Sequence, residues 1–136
     1  PTAMEGALKL KEIAYIHAEG FAAGELKHGP IALVEEGQPV FVIVPSPRGR
    51  HSLHSKVVSN IQEIRARGAE TIVIAEEGDT SVEDYANHVI RIPQSPTLLQ
   101  PLLATVPLQI FAAHVAKSKG YDVDQPRNLA KSVTVE

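Results

Sequence analysis

A narrow stripe of charge runs along the first predicted helix. In "EGALKLKEI", Glu5, Lys9 and Glu12 follow one another at positions i, i+4 and i+7. At about 100° per residue, their side chains fall within roughly 60° of each other. Two carboxylates and an ammonium in this arrangement can face a cleft and handle protons. They can also form a solvated edge in which the Glu5–Lys9 pair contributes only a few tenths of a kcal/mol. The spacing by itself favours the solvated edge.

Two further residues could carry chemistry. His28 lies in "AAGELKHGP" between Gly24 and Gly29, which permit unusual backbone angles, and a histidine in a polar loop can titrate near neutrality. It can equally cap a helix or face water. Lys131 is the single cation of the terminal segment "NLAKSVTVE", which has the composition of a strand or an ordered lid. Lysine acts as a nucleophile only where part of its population is neutral, which desolvation or a nearby cation promotes.

Composition excludes several classes of function. The 136 residues are 43% hydrophobic and 21% charged, as in ordinary globular domains, and the net charge of −3 argues against nucleic acid as a partner. There is no cysteine, which excludes disulfides, thiolate catalysis and cysteine-based zinc sites within this chain. No apolar run is long enough for a membrane span and no signal peptide opens the chain, so we expect a cytoplasmic location. We predict neither a metal nor a cofactor, since His51 and His54 lack a third ligand and no glycine-rich nucleotide loop is visible.

Strands alternate with helices, which predicts an α/β fold with a parallel sheet flanked by helices. Such sheets normally open on a strand, so we expect a preceding strand to be missing and the chain to be part of a longer protein. The segment "EEGDTSVEDYA" is expected to be a loop with a short helix. The other predicted elements are a largely buried helix over residues 3–19, strands over residues 40–44, 71–75 and 88–93, a helix from Leu53 to Ile64 capped by Gly68, and a long apolar helix between Thr97 and Lys119.

The carboxyl ends of the predicted strands are "PSPRGR", "AEEGD" and "PQSP", and ligands of parallel sheets gather at this edge. Arg48, Arg50, His51, His54 and Lys56 follow the first strand and could bind a phosphate or an acidic partner. A solvated loop is the simpler interpretation, and the role of this segment stays open.

Three segments carry a specific resemblance to a known family. "EGALKLKEI", "AEGFAAGELKHGP" and "DVDQPRNLAKSVTVE" resemble the carboxyl-terminal part of the glucosamine-6-phosphate synthases, the isomerising glutamine–fructose-6-phosphate aminotransferases. The resemblance covers essentially the whole chain. It implies a second sugar isomerase (SIS) domain over residues 1–120, without its first strand, and an active-site tail over residues 121–136. The family's glutaminase domain and its first SIS domain, which carries the phosphate-binding loop, would lie upstream, so we expect this chain alone to be inactive.

The resemblance also implies an aminotransferase reaction and the residues that perform it. The family converts fructose 6-phosphate and glutamine to glucosamine 6-phosphate and glutamate without a cofactor. Lys131 would form a Schiff base with the open-chain ketose, and Glu12 would move a proton between sugar carbons 2 and 1. His28 would assist ring opening, often from the neighbouring subunit of a dimer. The predicted catalytic residues are thus Lys131, Glu12, His28 and Lys9, and the predicted substrate-binding residues are Glu5 and Ala130.

Two other functions remain open at this point. The chain could come from a related sugar-phosphate isomerase or deglycase that lacks a glutaminase domain. It could also be a non-catalytic module that senses sugar phosphates, which would have no need of a tail lysine. In each case we expect a homodimer, because the first and last helices are too apolar for a chain of this size.

Overall fold

The computed structural model describes residues 1–49 and 51–128 and contains six principal elements. Two short 3-10 helices, Leu26–His28 and Pro30–Leu33, connect the first two of them. The principal elements are helix α1 (Thr2–Ala14), strand β1 (Pro39–Ile43), helix α2 (His51–Arg65), strand β2 (Glu70–Glu76), strand β3 (His88–Ile92) and helix α3 (Gln100–Ser118).

The three strands form a parallel sheet in the order β1-β2-β3, with Val73 of β2 in register with Val42 on one side and Val89 on the other. This confirms the predicted α/β class. The central strand β2 is buried on both faces, which explains why its sequence is a continuous apolar run. β1 is an edge strand of the described sheet, so the expected preceding strand stays a prediction.

Alternate residues of β2 face two separate apolar cores. Val73 and Ala75 pack with Val57 and Ile61 of α2. Ile74 faces the opposite side, where the core also contains Ala104 and Leu108 of α3. Burial of one such aliphatic side chain stabilises the fold by about 1.5–3 kcal/mol.

Helix α1 differs from its prediction in length and in burial. It ends at Ala14 rather than near residue 19, because Tyr15 adopts a left-handed conformation with φ of 54°. Its buried positions are the small residues Gly6, Ala7 and Ala14, whereas Met4 and Leu8 are exposed. The small residues allow close packing against α3: a Cβ added at Gly6 would lie 2.8 Å from Leu108 Cδ1.

The other helices and strands predicted within the described residues are confirmed except for one short helix. α2 is followed by a turn in which Gly68 has φ of 89°, as expected for a glycine after a helix. α3 is continuous although Pro107 lies inside it. Residues 77–87 form turns, so the short helix expected in that segment is wrong. Within the described ranges, no helix combines the length and apolar character required to cross a bilayer.

Candidate active site

The charged stripe exists as the spacing of α1 predicts. Lys9 Nζ lies 2.7 Å from Glu12 Oε2 and 3.5 Å from Glu5 Oε1. The three side chains are 27–35% exposed, so they are partly sheltered while remaining open to a ligand. The Lys9 ammonium therefore lies between two carboxylates. The three side chains are closer together than on an ordinary solvated helix face, but they are more exposed than a buried ion cluster.

Lys9 and Glu12 differ in their electrostatic and hydrogen-bonding surroundings. The pKa of Lys9 is raised, first because its ammonium donates a hydrogen bond to Glu12 and then because both carboxylates attract its charge, against burial, which lowers it. These contacts favour the cationic form of Lys9. Among the described residues, Glu12 accepts a side-chain hydrogen bond only through Oε2, and its Oε1 receives none.

His28 is not joined to this stripe within one copy of the chain. It ends the first 3-10 helix, its side chain is exposed, and its backbone N–H donates to Glu25 O at 3.0 Å. Gly29 follows with φ of 145°, which confirms the expected glycine conformation at that position. No hydrogen bond or ion pair of the described residues links the His28 side chain to Glu12. A contribution from a neighbouring subunit stays a prediction.

Lys131 and Ala130 lie outside the described residues, whereas the segment that leads to them is described as far as Asn128. This segment runs against the carboxyl end of α1, where Lys119 Nζ donates to Ala14 O at 3.0 Å. It thus begins beside the end of α1 that carries Glu12.

A buried polar network joins the three strand ends that the sequence marked. Glu76, only 2% exposed, accepts hydrogen bonds from Ser46 Oγ at 2.8 Å and from Arg48 Nη2 at 3.1 and 3.2 Å. Arg48 also donates to Ser95 O at 3.1 Å. The side-chain oxygen of Gln100 accepts from Ser46 N at 2.9 Å. Arg48, considered above as a possible phosphate ligand, forms an ion pair with Glu76 while its side chain stays 53% exposed, and its binding of a phosphate remains untested.

His54 also has a partner within the domain. Its Nε2 lies 2.8 Å from Asp79 Oδ2, and Ser81 Oγ donates to Asp79 Oδ1 at 2.5 Å. Burial acts to raise the pKa of Asp79, but the hydrogen bonds from Ser81 and His54 outweigh it and lower this pKa. The pair attaches the first turn of α2 to the loop after β2.

Sequence reasoning missed two groups of contacts. Gln100 pairs with Ser46 across 54 residues, and no local pattern marks it. Tyr15 pairs with Arg127 across 112 residues. The sequence pointed to these contacts only indirectly. The strand-end segments that contain Ser46 and the tail that contains Arg127 were both predicted to lie near a ligand.

The fold and the stripe define a class of protein. Residues 1–118 match the model of the SIS domain, and the chain belongs to this family. Over its whole length it is 85% identical to the glutamine–fructose-6-phosphate aminotransferase [isomerizing] of Corynebacterium diphtheriae, of which it spans 22%. The resemblance seen in the sequence segments is thereby confirmed.

Two solved structures are also similar. One is the carboxyl-terminal domain of glucosamine-fructose-6-phosphate aminotransferase from Francisella tularensis, with a TM-score of 0.79 and 43% identity over 92% of this chain and 34% of that one. The other is tagatose-6-phosphate ketose/aldose isomerase from Escherichia coli, with a TM-score of 0.75 and 25% identity over 90% of this chain and 34% of that one.

The geometry of the stripe predicts that its two carboxylates raise the pKa of Lys9 by unequal amounts. Glu12→Gln should lower the pKa of Lys9 more than Glu5→Gln, because Glu12 is the nearer anion and accepts the shorter hydrogen bond. Since the pKa of Lys9 is raised in the folded state, the stabilisation is complete below its ordinary value of 10.5 and is lost as pH rises through the folded-state value. An NMR titration of the Lys9 ε-carbon measures the effect. Equal decreases in the two variants would contradict the geometry.

The buried network predicts that replacing Glu76 destabilises the fold much more than replacing its neighbour Glu77. Glu76→Ala removes the acceptor of Ser46 and Arg48 and should reduce the free energy of unfolding by about 2–3 kcal/mol. Glu77→Ala is the matched control: this residue is exposed, and its loss should change the stability by less than about 0.5 kcal/mol. Urea unfolding monitored by circular dichroism compares them, and coincident midpoints would show that the network contributes nothing.

Proposed function

We propose that this chain is the second SIS domain, over residues 1–120, and the active-site tail, over residues 121–136, of an isomerising aminotransferase. The enzyme converts fructose 6-phosphate and glutamine to glucosamine 6-phosphate and glutamate. The observation that carries the proposal is the partly sheltered Glu12 carboxylate, paired with the Lys9 ammonium at 2.7 Å. It occurs in a chain 85% identical to an enzyme of that name, of which the chain covers about a fifth. The remaining domains would supply ammonia and bind the phosphate, so this chain alone is expected to be inactive.

The first step assigns a nucleophile to the tail. Lys131 Nζ attacks carbon 2 of the open-chain ketose and water leaves, which gives a Schiff base. Since the product carries a free amine on carbon 2, ammonia must then replace the lysine nitrogen and release Lys131. Ala130, the neighbour of Lys131 in the chain, would lie close to the sugar.

The second step assigns the proton transfer to Glu12. Its carboxylate takes a proton from carbon 1 and returns it to carbon 2, while the hydroxyl proton of carbon 1 moves to the nitrogen. The imine becomes an amine, carbon 1 becomes an aldehyde, and no oxidant or reductant is consumed. Lys9 would keep Glu12 oriented and offset its charge, and Glu5 would hold Lys9 from the other side and contact the substrate.

The proposal includes a homodimer, in which His28 of one subunit would assist ring opening at the other. Its exposure, on a short helix without a link to its own stripe, supports this assignment. We also propose a cytoplasmic location, where the substrates of such an enzyme would be found.

The tail and the stripe are tested together in the full-length protein. Borohydride reduction in the presence of fructose 6-phosphate should attach one sugar to Lys131, and Lys131→Ala should abolish this adduct. Glu12→Gln should still form the adduct but should lower amino-sugar production by about 10²- to 10⁴-fold, because only proton transfer is lost. Peptide mass mapping locates the adduct, and an assay for glucosamine 6-phosphate measures turnover.

Lys11→Gln is the matched control for this experiment. Lys11 is an exposed lysine on the same helix but outside the stripe, so its replacement should change neither the adduct nor turnover. An adduct on another residue would refute the assignment of Lys131, and full turnover of Glu12→Gln would refute the assignment of Glu12.

A second function is favoured by the similarity to a ketose/aldose isomerase with a TM-score of 0.75. A sugar-phosphate isomerase could use the same carboxylate for the same movement of a proton, but it would need no ammonia. The two proposals differ in their requirement for glutamine. Production of an aldose phosphate by the full-length protein without glutamine, and no amino sugar with it, would favour the isomerase.

The proposed dimer predicts the mass of the full-length protein in solution. Apolar side chains on the outer face of α3, such as Leu102 and Ile110, are more than half exposed, and Met4 of α1 is 65% exposed. Burial of these side chains between subunits would be favourable, at about 25 cal/mol per Å² of apolar surface. We expect light scattering to give twice the mass of one chain. A monomer across micromolar concentrations would contradict the dimer and, with it, the role of His28 in a neighbouring site.

A further inference from the structure

The carboxyl end of α1 adopts a conformation that its sequence does not favour. Tyr15 ends the helix with φ of 54° and ψ of 40°, and its N–H donates to Leu10 O. Glycine is the usual residue at a left-handed helix end, because a side chain crowds the backbone there. A tyrosine persists in this conformation only where other contacts compensate. Glu12, the proposed base, lies three residues earlier, in the last turn of the helix.

The compensating contacts come from residues that follow α3. Lys119 Nζ donates to Ala14 O at 3.0 Å, and carbonyls at this end of a helix have no partner within the helix. An ammonium at this end also interacts favourably with the helix dipole. Tyr121 packs edge-on against the Tyr15 ring, with 4.8 Å between centroids, and the Arg127 guanidinium carbon lies 4.0 Å from the centre of that ring. The last carbonyl of α1 and the ring that follows it are thus both held by the same stretch of chain.

The turn that these contacts hold carries the Glu12 carboxylate. Ala14 lies two residues after Glu12, which is about 3 Å further along the helix axis. Helix ends open more readily than helix centres, and a side chain changes direction when its turn opens. Among the described residues, Glu12 accepts a side-chain hydrogen bond from Lys9 alone, and Lys9 moves with the same helix. The contacts made by Lys119 and Tyr15, in contrast, attach this turn to another element.

We propose that Lys119 and Tyr15 are positioning residues that fix the last turn of α1 and so the direction of the Glu12 carboxylate. The proposal rests on the proposed function, in which Glu12 moves a proton between sugar carbons. Neither residue needs to touch the sugar. Because proton transfer depends on the distance and the alignment of the reacting groups, a loosened helix end should slow this step while sugar binding stays nearly the same.

Turnover of the full-length protein tests the role of Lys119. Lys119→Met removes the ammonium but keeps an unbranched side chain, so kcat for amino-sugar formation should fall about three- to ten-fold. The KM for fructose 6-phosphate should change by less than about two-fold. Lys119→Arg keeps a cationic donor and should recover part of the loss. Lys117→Met, on an exposed lysine in the last turn of α3, is the matched control and should leave both constants unchanged.

Tyr15→Gly separates the contacts of the ring from the conformation of the backbone. Glycine adopts the left-handed conformation without strain, so the helix can still end in the same way, whereas the ring that Tyr121 and Arg127 contact is lost. We expect kcat to fall by about three-fold or more although circular dichroism shows a folded protein. A purely structural role of the ring would lower the urea midpoint and leave kcat of the folded protein unchanged.

Deuterium at carbon 1 of fructose 6-phosphate shows which step the substitutions slow. A misplaced Glu12 makes removal of the proton from carbon 1 limit turnover. Deuteration should therefore slow Lys119→Met and Tyr15→Gly by at least the factor by which it slows the unsubstituted protein. A smaller factor would mean that another step has become slower, and it would overturn the proposal. Unchanged kcat in both variants would overturn it as well.

A separate measurement distinguishes failure of these contacts from failure of the proposed function. If Glu12→Gln keeps full turnover, the proposed role of Glu12 fails, and the catalytic purpose of the contacts fails with it. The contacts themselves are still tested by hydrogen exchange at the Tyr15 and Ile16 N–H groups, which both donate to Leu10 O. These groups should exchange faster in Lys119→Met than in the Lys117→Met control. Equal exchange rates would overturn the hold on the helix end, whatever the role of Glu12.

Discussion

The close packing of α1 against α3 is the constraint on which the candidate site depends. Gly6 lies against Leu108 with no room for a side chain, and Ala7 and Ala14 are also buried. This packing places the carboxyl end of α1 beside the residues that follow α3. The charged stripe belongs to the first of these elements and the tail to the second. A larger residue at this contact would move the charged stripe away from the residues that follow α3.

Two glutamates of this domain illustrate how surroundings determine what a carboxylate can do. Glu76 is almost fully buried, and Ser46 and Arg48 occupy its oxygens. It can therefore hold strand ends together but has no capacity for a reacting proton. Glu12 remains partly open, and one cation holds one of its oxygens. Shelter together with a free oxygen is the combination that acid–base chemistry requires.

The sequence was sufficient for features that depend on neighbouring residues. The continuous apolar runs predicted β1 and β2 to within about two residues, and helical spacing predicted the Glu5–Lys9–Glu12 stripe. It was insufficient where distant residues decide the outcome. The end of α1 depends on the conformation of Tyr15, whose partner Arg127 is 112 residues away. Leu8 faces outward because the small residues of α1 face α3. Counting apolar positions could not reveal this, because a helix with this many apolar residues looks the same whether it is fully buried or packs on one face only.

The pairing of Arg48 with Glu76 also determines how the crevice at the strand ends would interact with an anion. Within the described residues at this crevice, an anion would meet a carboxylate and a guanidinium that already compensate each other, and displacing Arg48 would leave the Glu76 carboxylate buried without its cation. Such a crevice attracts an anion weakly. Tight binding of an anionic group would then fall to another part of the protein.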